Sequence, residues 1–161
     1  MAAQNVGAGR WDRVGRVAAT GVTFNFLSAG TLIALIYLLN RGALGLFLPS
    51  NGAAIQIAAH LNSIVLWSFV FFGMSMVLYG VVRATGAVMA PLIMLGIALW
   101  GIRVPFAYLM LDRWHADAVW WSFPLASLVS MVLSTGYYHF GGWRKVRLGI
   151  AEARAAPVSS A

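Results

Sequence analysis

Long runs of apolar residues dominate the chain, and short polar segments separate them. A helix that crosses a bilayer needs about 20 mostly apolar residues, each adding 1.5 Å of rise. The runs that meet this length predict transmembrane helices at about residues 18–39, 53–82, 87–111 and 118–140. The pattern therefore predicts an all-α membrane protein with four transmembrane helices, in which residues 1–161 form a single membrane domain and residues 152–161 form a flexible tail.

The amino-acid composition favours lipid as the environment of this chain. Of the 161 residues, 61% are hydrophobic and 9% are charged, whereas a soluble domain carries about 25% charged residues. The net charge of +7 would suit a nucleic-acid partner, but the basic residues form short clusters between apolar runs and no aromatic-lined stripe. We therefore expect membrane lipid, and no nucleic acid, around the chain.

The basic clusters predict how the helices are oriented, because cytoplasmic loops carry the excess of Lys and Arg. On a path with four crossings, eight basic residues fall on one side: Arg10, Arg13, Arg16, Arg83, Arg144, Lys145, Arg147 and Arg154. The other side receives Arg41 and Arg113. This distribution predicts that both chain ends, including the tail at 152–161, lie in the cytoplasm.

Enzyme signatures are absent from the sequence. It contains no Gly-x-Ser-x-Gly motif, no phosphate-binding loop, no cysteine and no pair of histidines at metal-ligand spacing. We therefore expect no catalytic residue, no metal site and no enzymatic activity. The acidic residues Asp12, Asp112, Asp117 and Glu152 all fall outside the predicted helices. A site that couples transport to protons or Na⁺ normally needs an acid within the membrane, so the chain alone is not expected to be a complete pump.

Arg103 is the one charged residue inside a predicted transmembrane helix. It lies about 12 Å from the outer end of that helix, where an Arg costs energy unless it faces protein or water. One hypothesis is that His60 and Asn62, at a comparable depth in the preceding helix, solvate its guanidinium. The other is that the side chain snorkels to the outer interface.

A mixed stripe of aromatic and hydroxyl side chains marks the second predicted helix. Ser68, Phe72, Ser75 and Tyr79 recur at spacings of four, three and four residues, which places them on one helical face. Such a stripe suits a cavity for flat, weakly polar molecules. It equally suits a packing seam in which hydroxyls bond across helices, and this is the interpretation that we favour.

Several segments resemble, in order, motifs of the multidrug and toxic compound extrusion (MATE) family. Residues 2–16 contain AQNVGAGR, which resembles the family's G-Q-N-x-G-A-G-R motif. Residues 80–91 resemble its G-x-x-R-A-x-G segment, and residues 100–108 its W-x-I-R-x-P-x-A-Y run. Residues 120–143 are similar to its last helix and exit. The residues that carry the first motif here are Gln4, Asn5, Gly7, Gly9 and Arg10.

The resemblance implies a fold of twelve helices in two lobes around a central cavity. This chain would supply the last four helices, which are part of the C-terminal lobe, and the first motif would open a cytoplasmic loop. The implied activity is antiport in the inner (plasma) membrane, with drugs or other organic compounds exported in exchange for Na⁺ or H⁺. No other cofactor is implied. Some branches of the family carry a carboxylate near the position of Phe72 in the tenth helix, and this sequence has none there.

Two hypotheses about the function follow. In the first, the chain is a C-terminal fragment of such an antiporter that does not transport alone. It would need the missing helices, from the same or another chain, before a small organic substrate could pass. In the alternative, it is a non-transporting or oligomeric four-helix membrane subunit.

Overall fold

The computed structural model describes the backbone of residues 1–47 and 52–144, and the side chains of residues 1–39 and 53–144. The predicted tail at 152–161 lies outside the described residues. The elements are α1 (Ala2–Gly7), α2 (Trp11–Phe47), α3 (Gly52–Arg83), α4 (Met89–Gly96), a π-helical segment (Ile97–Arg103), α5 (Val104–Trp114), α6 (Ala116–Phe140) and a 3₁₀ turn (Gly142–Arg144). The predicted all-α fold is confirmed for this part of the chain.

Within the described residues, four helical stretches are long and apolar enough to cross a membrane. In chain order these spans are Trp11–Leu39, Ala53–Arg83, Met89–Trp114 and Ala116–Phe140. The third span is composite, since it runs through α4, the π-helical segment and α5. The expectation of four apolar spanning helices is therefore confirmed.

The helices extend further than the apolar runs that predicted them. The first span begins at Trp11, not near residue 18, and its first turns carry an exposed i,i+4 pair in which Arg16 lies 3.7 Å from Asp12. Asp112 and Asp117 likewise lie within the last or first turn of a helix. The expectation that these three acids lie outside the helices is thus wrong. A helix can continue beyond the hydrocarbon, where its charged residues meet headgroups and water.

The spans pack in an order that differs from their order in the sequence. The second span lies between the first and the fourth, and the third span packs mainly on the fourth. The spatial order is therefore first, second, fourth, third. This order places the second and fourth spans at the centre and the first and third spans at the two sides.

The first and second spans approach closely through small residues. The Asn25 side-chain amide donates a hydrogen bond to the backbone oxygen of Val70 at 3.2 Å, and it lies directly over Gly73. One turn away, Gly21 faces Val77. Small residues of this kind let helix backbones approach in lipid, where cross-helix packing and hydrogen bonds supply the attraction.

The third span changes its helical pitch near its middle. The N–H of Val104 donates to the oxygen of Leu99, five residues back, and the π-helical segment ends at Arg103. Pro105 follows directly; it has no N–H, so a carbonyl one turn earlier loses its usual donor. Widened turns of this kind are rare and occur frequently at functional sites.

Candidate functional site

A cavity of about 280 Å³ lies between the second, third and fourth spans. The side chains around it are mainly apolar, with a few hydroxyls and one guanidinium. They belong to Ser68, Phe69, Phe72, Leu95, Ala98, Leu99, Arg103, Phe123, Ala126, Ser127 and Ser130. Apolar, aromatic walls with few polar groups are typical of sites for small organic molecules. Because each of three spans contributes to the wall, the cavity depends on how these spans pack.

Arg103 projects into this cavity from the end of the π-helical segment. Its side chain is half-buried, and its guanidinium carbon lies 3.5 Å from the centroid of the Phe123 ring. This cation–π contact stabilises the charge by roughly 0.5–2 kcal/mol, depending on how dry the site is. Among the residues with described side chains, no carboxylate forms an ion pair with Arg103. Arg103 therefore contacts protein, and the group that it contacts is an aromatic ring of the fourth span.

His60 contacts groups other than the Arg103 guanidinium, which was one of the partners expected from the sequence. Its Nε2 is 3.1 Å from the Asp117 carboxylate, and its ring meets Trp120 edge-on with the centroids 5.5 Å apart. Both side chains of the His60–Asp117 pair are about half exposed, so solvent weakens the attraction between them. The half-buried Asn62 does not line the cavity. The structure thus ties His60 to the start of the fourth span.

The stripe on the second span divides into two parts. Ser68 and Phe72 line the cavity. Ser75 is fully buried and donates to its own helix, and the buried Tyr79 hydroxyl lies 2.9 Å from the Ser130 hydroxyl of the fourth span. The structure therefore places the first half of the stripe at a cavity and the second half in the packing between the second and fourth spans.

The first motif lies at the other end of the bundle from the His60–Asp117 pair. Gln4, Asn5 and Gly7 belong to α1, and Gly9 adopts the left-handed conformation (φ +68°) in the turn before α2. The N–H of Arg10 donates to the oxygen of Asn5 at 2.9 Å and closes this turn. None of these five residues lines the cavity, so the structure does not bring the two sets of candidates together.

Trp143 organises the end of the bundle that carries this motif. Its side chain is fully buried, its indole N–H donates to the oxygen of Tyr138 at 2.8 Å, and its ring stacks on that of Tyr138. The surrounding buried residues form what we call the Trp143 cluster: Val6, Val14, Ala18, Leu78, Val81, Val82, Ala87 and Trp143. Segments 2–16, 80–91 and 120–143, which resemble family motifs, therefore meet in one apolar cluster.

Sequence reasoning missed the residues that the fourth span contributes to the cavity, namely Phe123, Ala126, Ser127 and Ser130. A signal for one face of that span was present. Small residues recur there every four positions, and the structure buries all of them: Ala118, Ser122, Ala126, Ser130 and Ser134. This spacing marks the packed face of a membrane helix. That face and the residues beside it are then candidates for a cavity wall.

Comparison with known proteins agrees with the motifs. The profile of the MatE family matches residues 1–109. The chain is 36% identical over 150 residues to the probable multidrug resistance protein YoeA of Bacillus subtilis (strain 168). The aligned region covers 92% of this chain and 32% of that protein. It is 28% identical over 148 residues to the probable multidrug resistance protein YpnP of the same organism, covering 92% of this chain and 33% of that protein. No solved structure matches. The chain thus spans about a third of the length of these relatives.

Proposed function

Because the chain belongs to the MatE family, as its motifs predicted, we propose that it forms four helices of a membrane exporter of small organic compounds. The observation that carries this proposal is the cavity between the second, third and fourth spans, whose walls are mainly apolar and aromatic. A cavity of this kind suits flat organic molecules. The names of both relatives, which refer to multidrug resistance, support the same class of substrate.

We further propose that export is driven by exchange with Na⁺ or H⁺, and that other helices supply the coupling group. The described acids sit at helix ends, and no Asp or Glu occurs in the central part of any of the four spans. Ion-coupled sites within the membrane normally use such an acid. The partner helices, in the same or another chain, would also cover the apolar side chains that the first span exposes, such as Phe24 and Leu38.

The 161-residue chain, purified and reconstituted alone in lipid vesicles, should insert but should not move ethidium. Its spans are apolar enough to enter a bilayer, whereas their central parts lack an acid that could exchange a proton or Na⁺. The measurement is ethidium movement after a Na⁺ or proton gradient is imposed, with empty vesicles as the control. A full-length relative in matched vesicles shows that the assay can detect export. Gradient-dependent movement by the chain alone would favour a complete oligomeric transporter and would contradict the need for partner helices.

Basic residues are in excess at the end of the bundle that carries Trp143. This excess supports an orientation in the plasma membrane with both chain ends in the cytoplasm.

The chain has no cysteine, so a thiol reagent would label only a cysteine that is introduced by substitution. In intact cells, Ala116→Cys should react with an impermeant maleimide, and Ala8→Cys should react after the cells are opened. Both positions are exposed, whereas the nearby Thr85 is 4% exposed and would react slowly on either side. Labelling of Ala8→Cys in intact cells would contradict the proposed orientation and would indicate the reverse one.

A further inference from the structure

The cavity has an unbalanced electrostatic character. Among the described residues that line it, Arg103 is the one charged group, and the remaining polar groups are serine hydroxyls. A cation placed in this cavity would meet a like charge at short range. An anion would meet an opposite charge in surroundings where water and salt screen it poorly. Charge therefore distinguishes sharply between the ligands that the cavity can hold.

Among the side chains that the structure describes, no carboxylate compensates the charge of Arg103. A charged side chain near the middle of a membrane helix is costly unless it is paired or hydrated. The Phe123 ring offsets a part of this cost through one face of the guanidinium. The guanidinium carries five N–H donors in a planar fork, and no carboxylate with a described side chain pairs with them. A bound carboxylate would match this fork and complete the site.

The neighbouring side chains favour the same ligand. On the third span the cavity lining runs from Leu95 to Arg103, the last residue of the π-helical segment. Ser127 and Ser130 line the cavity from the fourth span, one and two turns beyond Phe123, and the Ser130 hydroxyl also contacts that of Tyr79. Phe72 contributes an aromatic ring to the lining from the second span. A ligand with a small anionic head and an apolar, aromatic body would meet both kinds of surface.

We propose that this cavity binds an organic monoanion, whose carboxylate pairs with Arg103 and whose aromatic body lies among Phe72, Phe123 and the surrounding aliphatic side chains. Only the role of this cavity in transport rests on the proposed function. The binding itself can be measured without transport. For this cavity, the proposal narrows the ligand class from small organic compounds in general to aromatic carboxylates and related anions. It also assigns Arg103 the task of selecting the ligand by charge.

The test is the binding of tritiated 2-naphthoate to the purified chain in phosphatidylcholine nanodiscs. We expect saturable binding that unlabelled 2-naphthoate displaces and that the neutral, nearly isosteric 2-naphthamide does not. Arg103→Gln should weaken binding at least tenfold, and Arg103→Lys should lie between this variant and the wild type because the planar fork is lost. The matched control is Arg113→Gln, which removes an exposed arginine from the same span outside the cavity and should leave the affinity unchanged.

A second variant separates ligand contact from folding. Ser127→Phe fills the cavity and keeps Arg103, so it should also weaken naphthoate binding at least tenfold while the helical circular dichroism is retained. The proposal is overturned if Arg103→Gln binds naphthoate within twofold of the wild type, if naphthamide competes equally, or if the wild type shows no saturable binding. Gradient-driven export by the complete transporter is a separate readout. If it exports neither 2-naphthoate nor ethidium, that result would contradict the proposed function and would leave the binding result intact.

Discussion

Replacing Gly73 with alanine should lower the free energy of unfolding by about 1–3 kcal/mol, the usual cost of overpacking a tight contact. A Cβ at this position would overlap the Asn25 amide, lying 2.8 Å from its Cγ and 2.8 Å from its Nδ2. Asn25 would have to rotate away and lose its hydrogen bond to Val70. Since the first span packs mainly on the second, this contact holds the first span in the bundle. Unfolding by SDS in mixed micelles measures the change.

Gly80 provides the matched control for this substitution. It lies in the same helix, and a Cβ there would have no atom within 4 Å, so Gly80→Ala should leave stability unchanged or raise it by up to about 1 kcal/mol. The Asn25→Ala background provides a second control, because alanine leaves room for the new methyl group. Gly73→Ala should then cost at least about 1 kcal/mol less than in the wild type. An equal cost in both backgrounds would show that Asn25 is not the obstacle.

Replacing Trp143 with alanine should lower the free energy of unfolding by about 3–5 kcal/mol, which is typical of a buried tryptophan. Its side chain is fully buried between the start of the first span, the end of the second and the end of the fourth. The substitution removes the stacking on Tyr138, the edge contact with Trp11 and the indole hydrogen bond. The same SDS titration measures the loss.

Trp100 is the matched control for the tryptophan substitution, since its side chain is 76% exposed on the third span. Trp100→Ala should change stability by less than about 1 kcal/mol in the same micelles. Trp143→Phe should fall between the two variants, because it keeps an aromatic ring and loses the hydrogen bond. If Trp143→Ala and Trp100→Ala cost the same, the Trp143 cluster does not hold the motif segments together.

Hydropathy predicted the four spans because the thickness of the bilayer imposes a length on any apolar helix that crosses it. It did not predict where the helices end. The residues from Trp11 to Ala18 include charged side chains, yet Val14 lies buried in the Trp143 cluster and the backbone stays helical. Hydropathy reports the preference of a segment for lipid. It does not report the continuation of a helix into the headgroup region.

The candidate site was predicted in part, and the missing part depends on packing order. Arg103, Ser68 and Phe72 were identified because a charge or a polar stripe in a membrane helix is conspicuous. Their neighbour Phe123 was not, since an aromatic residue in an apolar helix carries no such mark. His60 was assigned to Arg103 by depth alone, whereas the structure pairs it with Asp117. Depth constrains one coordinate of a side chain, and the rotation of each helix determines the rest.

The spatial order of the spans also has a consequence for biosynthesis. The third span leaves the ribosome before the fourth, on which it mainly packs. Arg103 precedes Phe123 by about 20 residues, so at roughly 5–20 residues per second it waits about one to four seconds for the ring on which it stacks. During that interval the translocon, a membrane chaperone or the two earlier spans must keep the charge of Arg103 away from lipid. The pace of translation between these two codons therefore bears on how much of the chain reaches its folded bundle.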